Sequence, residues 1–230
     1  MRNYYRKGQY LMDFSRQREI FEPESFKLPV HVIGCGATGS WVAVMLAKLG
    51  VKDLHLHDFD IIEEHNLPNQ LFKQIDIGRS KVSASHDMCS GLSDTKATLH
   101  NTEVTGDTQL SGIVFILTDT MFSRADIYKK ALKNNVAVPL VIETRMGTEG
   151  GRVYAFNPCK RSETVEYAKT LYTDDEAVVS ACGIRQTLAP TAALIASLAV
   201  WQLIKFHNDV EIDNEIIIDA KYNTYLTRKF

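Results

Sequence analysis

A glycine-rich turn between a short strand and a helix constrains this chain more than any other feature of its sequence. The apolar run Val-His-Val-Ile over 30–33 leads directly into Gly-Cys-Gly-Ala-Thr-Gly over 34–39, and a helical pattern follows. Gly34 permits the sharp turn, Gly36 lets phosphate groups approach the backbone, and Gly39 lets helix and strand pack closely. The order of strand, G-x-G-x-x-G and helix therefore predicts a phosphate-binding loop.

An acidic residue after the second strand favours a nucleotide over a bare phosphate. Asp58 ends that strand 19 residues beyond Gly39, where an acidic side chain commonly binds ribose hydroxyls. The N–H groups and the dipole at the N-terminus of the intervening helix favour anionic phosphates. The same glycines also suit an NAD-dependent oxidoreductase, and in isolation they fit any tight strand-to-helix turn.

Short apolar runs bounded by Gly, Pro or Asp alternate with helical patterns along the chain. The runs predict strands over 30–33, 54–59, 113–117, 136–142 and 153–156, with late strands over 215–220 and 222–226. The helical patterns lie over 40–49, 81–92, 124–134 and 187–206. This alternation predicts the α/β class, with a Rossmann-like, doubly wound and largely parallel sheet that ends in antiparallel strands.

One domain is predicted over 1–230, because no linker, repeat or low-complexity tract divides the chain. Within it we expect an N-terminal helical segment over 1–28 and a nucleotide-binding core over 29–145. The remainder, 146–230, is expected to contain a crossover loop, a buried helix and the C-terminal strands. The charged stretch 161–176 is the predicted crossover loop.

Composition excludes several classes of partner and location. A net charge of −2 gives no reason to expect a nucleic-acid or membrane-surface partner. The apolar stretch 187–204 carries Pro190 and Gln202 and is rich in small residues, so a buried helix is expected there rather than a membrane span. We therefore expect a cytoplasmic protein.

Beyond the second strand the chain resembles the adenylating-enzyme family that contains MoeB, ThiF, HesA and the ubiquitin-activating enzymes. The stretch 58–72 is similar to that family's D-x-D and N-L-x-R-Q patterns, and 76–81 is similar to its I-G-x-x-K pattern. Ser-Arg-Gln over 15–17 resembles an upstream motif, and 118–124, which begins Thr-Asp and ends in Arg, resembles T-D-N-x-x-x-R. The residues that match the family's site patterns are Asp58, Asp60, Asn66, Gln70, Lys81 and Asp119.

The resemblance implies activation of a carboxylate by ATP, with attack on the α-phosphorus and loss of pyrophosphate. Such a site needs cations for the leaving phosphates and a carboxylate for Mg²⁺. By resemblance, Lys81 is the cation within the chain, Arg16 is a second cation that reaches into the partner subunit's site, and Asp119 holds Mg²⁺. The residues implied to contact the rest of the nucleotide are Asp58, Asp60, Asn66, Asn69 and Gln70.

Each implied catalytic residue also has an ordinary structural interpretation. Lys81 could be a solvated helix residue, Arg16 a surface residue, and Asp119 the cap of the following helix. Arg124 and Arg145 are predicted to be structural partners of carboxylates, so they stay outside the catalytic set.

The chain departs from the family pattern in two ways. Asn69 stands where the family has arginine, so a charge-assisted phosphate contact worth about 1.5–3 kcal/mol is replaced by a neutral amide. The C-x-x-C pairs of many zinc-containing relatives are absent, so no structural zinc is expected.

Cys182 resembles the cysteine that precedes the family's crossover helix, and it could be a nucleophile or a small apolar filler. His55 and His57 share one face of a strand, but no third metal ligand is evident.

The sequence therefore predicts an ATP-dependent adenylyltransferase that is a homodimer with two shared sites. Its expected substrate is the C-terminus of a small ubiquitin-like or sulfur-carrier protein. The main alternative is a degenerate module that binds nucleotide or a partner without turnover, because of Asn69 and the missing zinc motifs. An NAD-dependent oxidoreductase is the third hypothesis, although no hydride-transfer residues are evident.

Overall fold

The strands of the molecule form one large sheet and one small strand pair. The computed structural model describes residues 5–6, 9–10, 12–176 and 186–230. The small pair joins β1 (Tyr5–Arg6) to β2 (Gln9–Tyr10). The strands of the large sheet are β3 (Val30–Ile33), β4 (Asp53–His57), β5 (Lys96–His100), β6 (Ile113–Ile116), β7 (Leu140–Met146), β8 (Gly150–Phe156), β9 (Glu215–Asp219) and β10 (Thr224–Arg228).

The strand order of the large sheet is β10-β9-β8-β7-β6-β3-β4-β5. The strands from β7 to β5 in this order run parallel, whereas β8, β9 and β10 add to the other side in antiparallel pairs. The chain moves outward from β3 to β5 and then returns to the other side of β3, so the order reverses between β3 and β6. Open α/β sheets bind ligands outside the carboxyl ends of their strands at such a point. The predicted fold class is confirmed.

The helices of the described residues begin and end where local chemistry requires it. They are α1 (Ala37–Leu49), α2 (Lys81–Leu92), α3 (Met121–Ile127, continued by a π-helical turn over Tyr128–Leu132), α4 (Arg161–Lys169) and α5 (Ala189–His207). Gly50 ends α1 with a φ of 86°, which glycine adopts without strain. The Ser80 side chain caps α2 and the Thr120 side chain caps α3, each by accepting an N–H of the first turn.

Both faces of the sheet are buried at its central strands β3, β6 and β7. On one face α1, α2 and α5 cover the core, and Ile195, Ala199 and Leu203 of α5 have no exposed surface. On the other face Ile116 of β6 packs in a cluster that includes Tyr167 of α4. By length and composition alone α5 could cross a membrane, but half of it is buried inside the fold against α1, β7 and β8. That burial is the environment predicted for a core helix of an α/β domain.

The predicted helical segment over 1–28 is wrong in its described residues. Strands form at 5–6 and 9–10, and 15–20 forms turns that are closed by backbone N–H groups of Arg18 and Phe21. Phe21 is buried in the main core, and Pro23 follows it closely. The turns therefore stop after a short run, because a residue that precedes proline is disfavoured in helical geometry.

The charged stretch 161–176 is not wholly a loop, because its first half forms α4. Glu163 fixes the start of this helix by accepting the Asn157 N–H at 2.8 Å and the Lys160 ammonium at 2.6 Å. Strand β5 was not predicted at all, since its sequence Lys-Ala-Thr-Leu-His has no apolar run. The boundary predicted at 145 falls inside β7, so the large sheet continues across it.

Candidate active site

A cavity of about 680 Å³ lies where the strand order reverses. Its walls are the glycine turn after β3, the acidic loop after β4, the segment after β6 and the start of α2. A cavity of this size accommodates a small-molecule ligand. The predicted site residues that line it are Gly34, Gly36, Asp58, Asp60, Asn66, Asn69, Gln70, Lys81 and Asp119.

The three glycines of the turn have different structural roles. Gly34 has a φ of 95°, and a Cβ there would lie 2.7 Å from the carbonyl oxygen of Leu117. A Cβ at Gly39 would lie 1.8 Å from the carbonyl oxygen of Gly34, so α1 approaches β3 only because this side chain is missing. At Gly36 the nearest atom to such a Cβ would be Gln70 Nε2, 3.9 Å away. Gly36 is therefore open towards a ligand, whereas Gly34 and Gly39 shape the turn.

Asp58 fastens the end of β4 to the glycine turn. Its Oδ2 accepts the Cys35 N–H at 2.7 Å, and its Oδ1 accepts the Asp60 N–H at 2.9 Å. Burial raises the pKa of this carboxyl group, and the two N–H donors oppose the rise. Each carboxylate oxygen can accept a second hydrogen bond, so Asp58 can hold ribose hydroxyls while it keeps the turn in place.

Lys81 lies in the first turn of α2 with its side chain in the cavity wall. Its Nζ is 2.7 Å from Asp60 Oδ2, and its backbone N–H donates to the Asp60 carbonyl oxygen at 2.9 Å. The Lys81 side chain is 10% exposed and that of Asp60 is 52% exposed. Lys81 is therefore not a solvated helix residue but a mostly buried cation that the acidic loop holds beside the cavity.

Three amide side chains line the cavity between the acidic loop and the start of α5. Asn66 Oδ1 accepts the Glu63 N–H at 3.0 Å and so closes a short turn. Asn69 Nδ2 donates to the hydroxyl oxygen of Thr187. In the described part of the chain, Asn69 Oδ1 and Gln70 Oε1 are buried without a hydrogen-bond partner. Asn69 thus contacts the residue ahead of α5 and brings no charge to a phosphate.

The segment after β6 contributes one carboxylate and a group of hydroxyls. Asp119 is exposed and lines the cavity, as do Thr118, Thr120 and Ser123. The Ser123 hydroxyl donates to Thr118 Oγ1 at 2.8 Å, and the Thr120 hydroxyl donates to Ser123 Oγ at 2.8 Å. The N-cap residue of α3 is Thr120 rather than Asp119. A carboxylate beside hydroxyls suits Mg²⁺, which takes few protein ligands and keeps phosphate and water oxygens.

Arg124 and Arg145 pair with a buried carboxylate, as the sequence predicts. Glu143 has no exposed surface, and its Oε1 lies 2.6 Å from Arg145 Nε and 3.3 Å from Arg124 Nε. Burial lowers the pKa of Arg124. For Arg145 burial is outweighed by Glu143, which raises its pKa. Arg124 also lines the cavity, so this network supports one of its walls.

Gly39 and Arg16 are predicted site residues that do not line the cavity. Arg16 is exposed in the turns over 15–20 and is not part of the lining. Cys182 lies outside the described residues. Some lining residues were not selected from the sequence, although several directly follow strand ends, which is the signal that would have found them. They are Thr38, His57, Phe59, Thr120, Phe122 and Thr187.

The chain matches the model of the ThiF family over residues 15–228. Sulfur carrier protein ThiS adenylyltransferase of Escherichia coli K12 is 26% identical over 189 residues, which are 79% of this chain and 73% of that protein. Ubiquitin-like modifier-activating enzyme 5 of Caenorhabditis elegans is 35% identical over 97 residues, which are 41% of this chain and 23% of that protein.

A solved structure shares the fold. Escherichia coli MccB with AMPCPP and selenomethionine MccA superposes with a TM-score of 0.68 at 18% sequence identity. The match covers 88% of this chain and 64% of the MccB chain. This chain therefore spans somewhat less than two thirds of MccB.

Proposed function

Because the chain belongs to the ThiF family, we propose that it is an ATP-dependent adenylyltransferase that activates the C-terminal carboxylate of a small ubiquitin-like or sulfur-carrier protein. The product is an acyl-adenylate, and pyrophosphate leaves. The observation that carries the proposal is the mostly buried Lys81 ammonium, 2.7 Å from Asp60, in the wall of the cavity at the glycine turn. A cation fixed beside the phosphates serves attack at phosphorus, whereas hydride transfer has no need of it.

The residues of the cavity fit a nucleoside triphosphate. Gly36 leaves the approach to the N-terminus of α1 open, and N–H groups there favour phosphate. Asp58 is placed to hold ribose hydroxyls. Asp119, with Thr118 and Thr120 beside it, would hold Mg²⁺, which neutralises phosphate charge when bound.

The residues of the chain have distinct roles in the transfer. A carboxylate oxygen of the substrate attacks the α-phosphorus, and the bond from that phosphorus to the oxygen bridging to the β-phosphate breaks. Negative charge grows on the leaving pyrophosphate, so Lys81 stabilises the transition state more than the ground state. Asp60 holds Lys81 in place for this role. Arg16 of a second copy supplies a further cation to the same phosphates.

The acceptor class is supported by the names of the relatives. One relative is an adenylyltransferase of the sulfur carrier ThiS, and another activates a ubiquitin-like modifier. We propose that the acceptor belongs to this class. We also propose that the protein is a cytoplasmic homodimer with two sites. Where a covalent step follows adenylation, we propose that the Cys182 thiolate attacks the acyl carbon of the adenylate, so that a thioester forms and AMP leaves.

Pyrophosphate exchange tests this proposal. The protein is incubated with ATP, Mg²⁺ and labelled pyrophosphate, together with a panel of small carriers that end in Gly-Gly and with MccA. Label is expected to enter ATP only with the true acceptor. Lys81→Ala is expected to lower the exchange rate about a hundredfold, because it removes one transition-state cation.

The matched control is Lys48→Ala, which removes an exposed lysine from the last turn of α1. It is expected to exchange at the wild-type rate. Exchange by Lys81→Ala at that rate would contradict the role given to Lys81. Exchange with MccA and with no carrier of the Gly-Gly class would contradict the substrate class but not the adenylating activity.

The contact of Asn69 favours a second candidate, a nucleotide-binding module without turnover. Asn69 donates to Thr187 and places no charge near the phosphates. This alternative predicts ATP binding without exchange for every acceptor in the panel. It also predicts that Asn69→Arg restores exchange, whereas an active enzyme would gain little from that substitution.

A further inference from the structure

Four histidines from three strands meet on one face of the sheet. His31 of β3 lies opposite His55 of β4, and His57 of β4 lies opposite His100 of β5. The rings of His31 and His55 stack at a centroid distance of 4.4 Å and an angle of 14°. Those of His57 and His100 stack at 4.2 Å and 7°. We refer to these four residues as the histidine stack.

Contacts between ring nitrogens join the two stacked pairs to each other. His31 Nδ1 lies 3.0 Å from His57 Nε2, and His55 Nδ1 lies 3.0 Å from His100 Nε2. Each contact is a hydrogen bond only if one of the two nitrogens carries a proton and the other does not. When both rings of a pair are protonated, two N–H groups and two positive charges face each other, and the contact becomes repulsive.

The two rings nearest the core are poorly solvated. His31 is 4% exposed and His57 is 3% exposed. Burial, and after it the neighbouring histidines, lowers the pKa of His31 to about 4 and that of His57 to about 3. Burial also lowers the pKa of His100. These rings are therefore neutral at physiological pH.

The charged groups around the histidine stack do not offset a charge on its buried rings. Asp53 Oδ1 lies 3.2 Å from Nε2 of His55, at the more exposed end of the stack. The oxygens of Asp58, which follows His57, accept backbone N–H groups of Cys35 and Asp60. On the other side of His31, the neighbouring residue on β6 is the apolar Val114. The remaining charged residues on β5 and the segment after it are Lys96, Glu103 and Asp107, all of them exposed.

The histidine stack is not arranged as a metal site. The ligands of a zinc ion direct their lone pairs to one point, whereas these rings lie parallel and their nitrogens point at one another. Over the described residues, no group of three or more His, Cys, Asp or Glu side chains is placed to hold a metal ion.

His57 connects the histidine stack to the nucleotide cavity. It lines the cavity, and its carbonyl oxygen accepts the Gly34 N–H at 2.8 Å. The next residue is Asp58, which holds the Cys35 N–H of the same turn. A displacement of the end of β4 would therefore move the first glycine and the ribose-binding carboxylate together.

We propose that the histidine stack is an acid-sensitive switch for the nucleotide site, which holds the glycine turn in place while its rings are neutral and releases it when they are protonated. This regulation rests on the proposed nucleotide-dependent function. Histidines of the unfolded chain titrate near 6.5, but His31 and His57 titrate near 4 and 3 when folded. The stabilisation is therefore complete above about pH 6.5 and is lost as the pH falls towards about 4.

Ring spectra of the wild-type protein test the histidine stack directly. Histidine ¹⁵N–¹H correlations and backbone amide signals are recorded from about pH 7.5 to about pH 3.5, so that the range includes the lowered pKa of His31. We expect two rings to remain neutral below about pH 5.5, and the amide signals of Gly34 and Asp58 to shift when the stack takes up protons. Protonation of every ring near pH 6.5, or ring protonation without any shift of these amides, would overturn the proposal.

Nucleotide affinity gives the second readout, through His31→Gln. Glutamine keeps a hydrogen-bonding group beside His57 but cannot become charged. Between about pH 7 and about pH 4, where His31 takes up its proton, the Kd for ATP of the wild type is expected to rise about tenfold more than that of His31→Gln. The matched control is His86→Gln on α2, where the histidine is 36% exposed, and it should follow the wild type.

The titrations of ATP and of Asp58 are common to all three proteins, so they cancel in this comparison. Equal changes of Kd in all three would overturn the proposal. If His31→Gln does not fold, the wild-type ring and amide titrations decide. If ATP does not bind at either pH, the proposed function fails, and the amide shifts of Gly34 and Asp58 alone decide the switch.

Discussion

At the scale of single residues, Gly39 and Gly36 separate a packing role from a ligand-facing role within one turn. A Cβ at Gly39 meets a backbone oxygen at 1.8 Å, so the backbone must move. We expect Gly39→Ala to lower the free energy of unfolding by about 3 kcal/mol or more. Gly36 has a φ of −78° and a ψ of −139°, and a Cβ there would make only an ordinary contact at 3.9 Å, so Gly36→Ala is expected to lower that free energy by only about 1 kcal/mol.

Binding of ATP should show the opposite pattern to stability. The methyl group of Gly36→Ala lies where phosphates approach the backbone, so its ATP affinity is expected to fall at least about tenfold. Urea denaturation and calorimetric titration of the two variants measure both quantities. Tight ATP binding by Gly36→Ala, or an equal loss of stability in the two variants, would contradict this division of roles.

Several polar residues of the cavity could be predicted because they follow strand ends or begin the next helix. Asp58 follows β4, Asp119 follows β6, and Lys81 begins the helix after the acidic loop. The contact of Asn69 with Thr187 could not be predicted, because 118 residues separate them and only the packing of α5 joins them. The histidine stack could not be predicted for a similar reason, because its rings are paired by strand register rather than by their spacing in the sequence.

At the scale of secondary-structure elements, Glu143 joins β7 to two helices. It pairs with Arg145 on its own strand and with Arg124 on α3, and the Tyr167 hydroxyl of α4 donates to it. Glu143→Gln removes the negative charge and leaves two buried guanidinium groups unpaired. We expect the free energy of unfolding to fall by about 3–5 kcal/mol.

The matched control for this network is Glu149→Gln. Glu149 is half exposed and lies 3.1 Å from Lys221, which is also half exposed. Breaking such a surface pair is expected to cost less than about 1 kcal/mol. Urea midpoints of the two variants test the comparison, and equal midpoints would show that the buried network does not hold these elements together.

The elements that could be predicted accurately have strong local signals. The apolar run of β3 and the helix α2, which Ser80 caps, have the predicted bounds. Strand β5 had no such signal, because it lies at the edge of the sheet and all of its residues are exposed or half-exposed. Helix α4 also had none, because Tyr167 becomes buried only when the helix packs on β8.

At the scale of the whole molecule, Arg16 can act only if a second copy completes the site. Arg16 is exposed and outside the cavity of its own chain, whereas Lys81 lies inside it. The proposed dimer therefore places Lys81 of one copy and Arg16 of the other at the same phosphates. A site shared in this way can be tested only with two variants together, one for each of the two residues.

Mixtures of two inactive variants test the shared site. Arg16→Ala and Lys81→Ala are each expected to lose exchange activity as homodimers. After the two are unfolded and refolded together, half of the dimers should be mixed, and one of the two sites in each mixed dimer has both residues intact. Activity is therefore expected to return to about a quarter of the wild-type value. Each variant refolded alone is the control, and a mixture that stays as inactive as these controls would show that Arg16 does not act across a dimer.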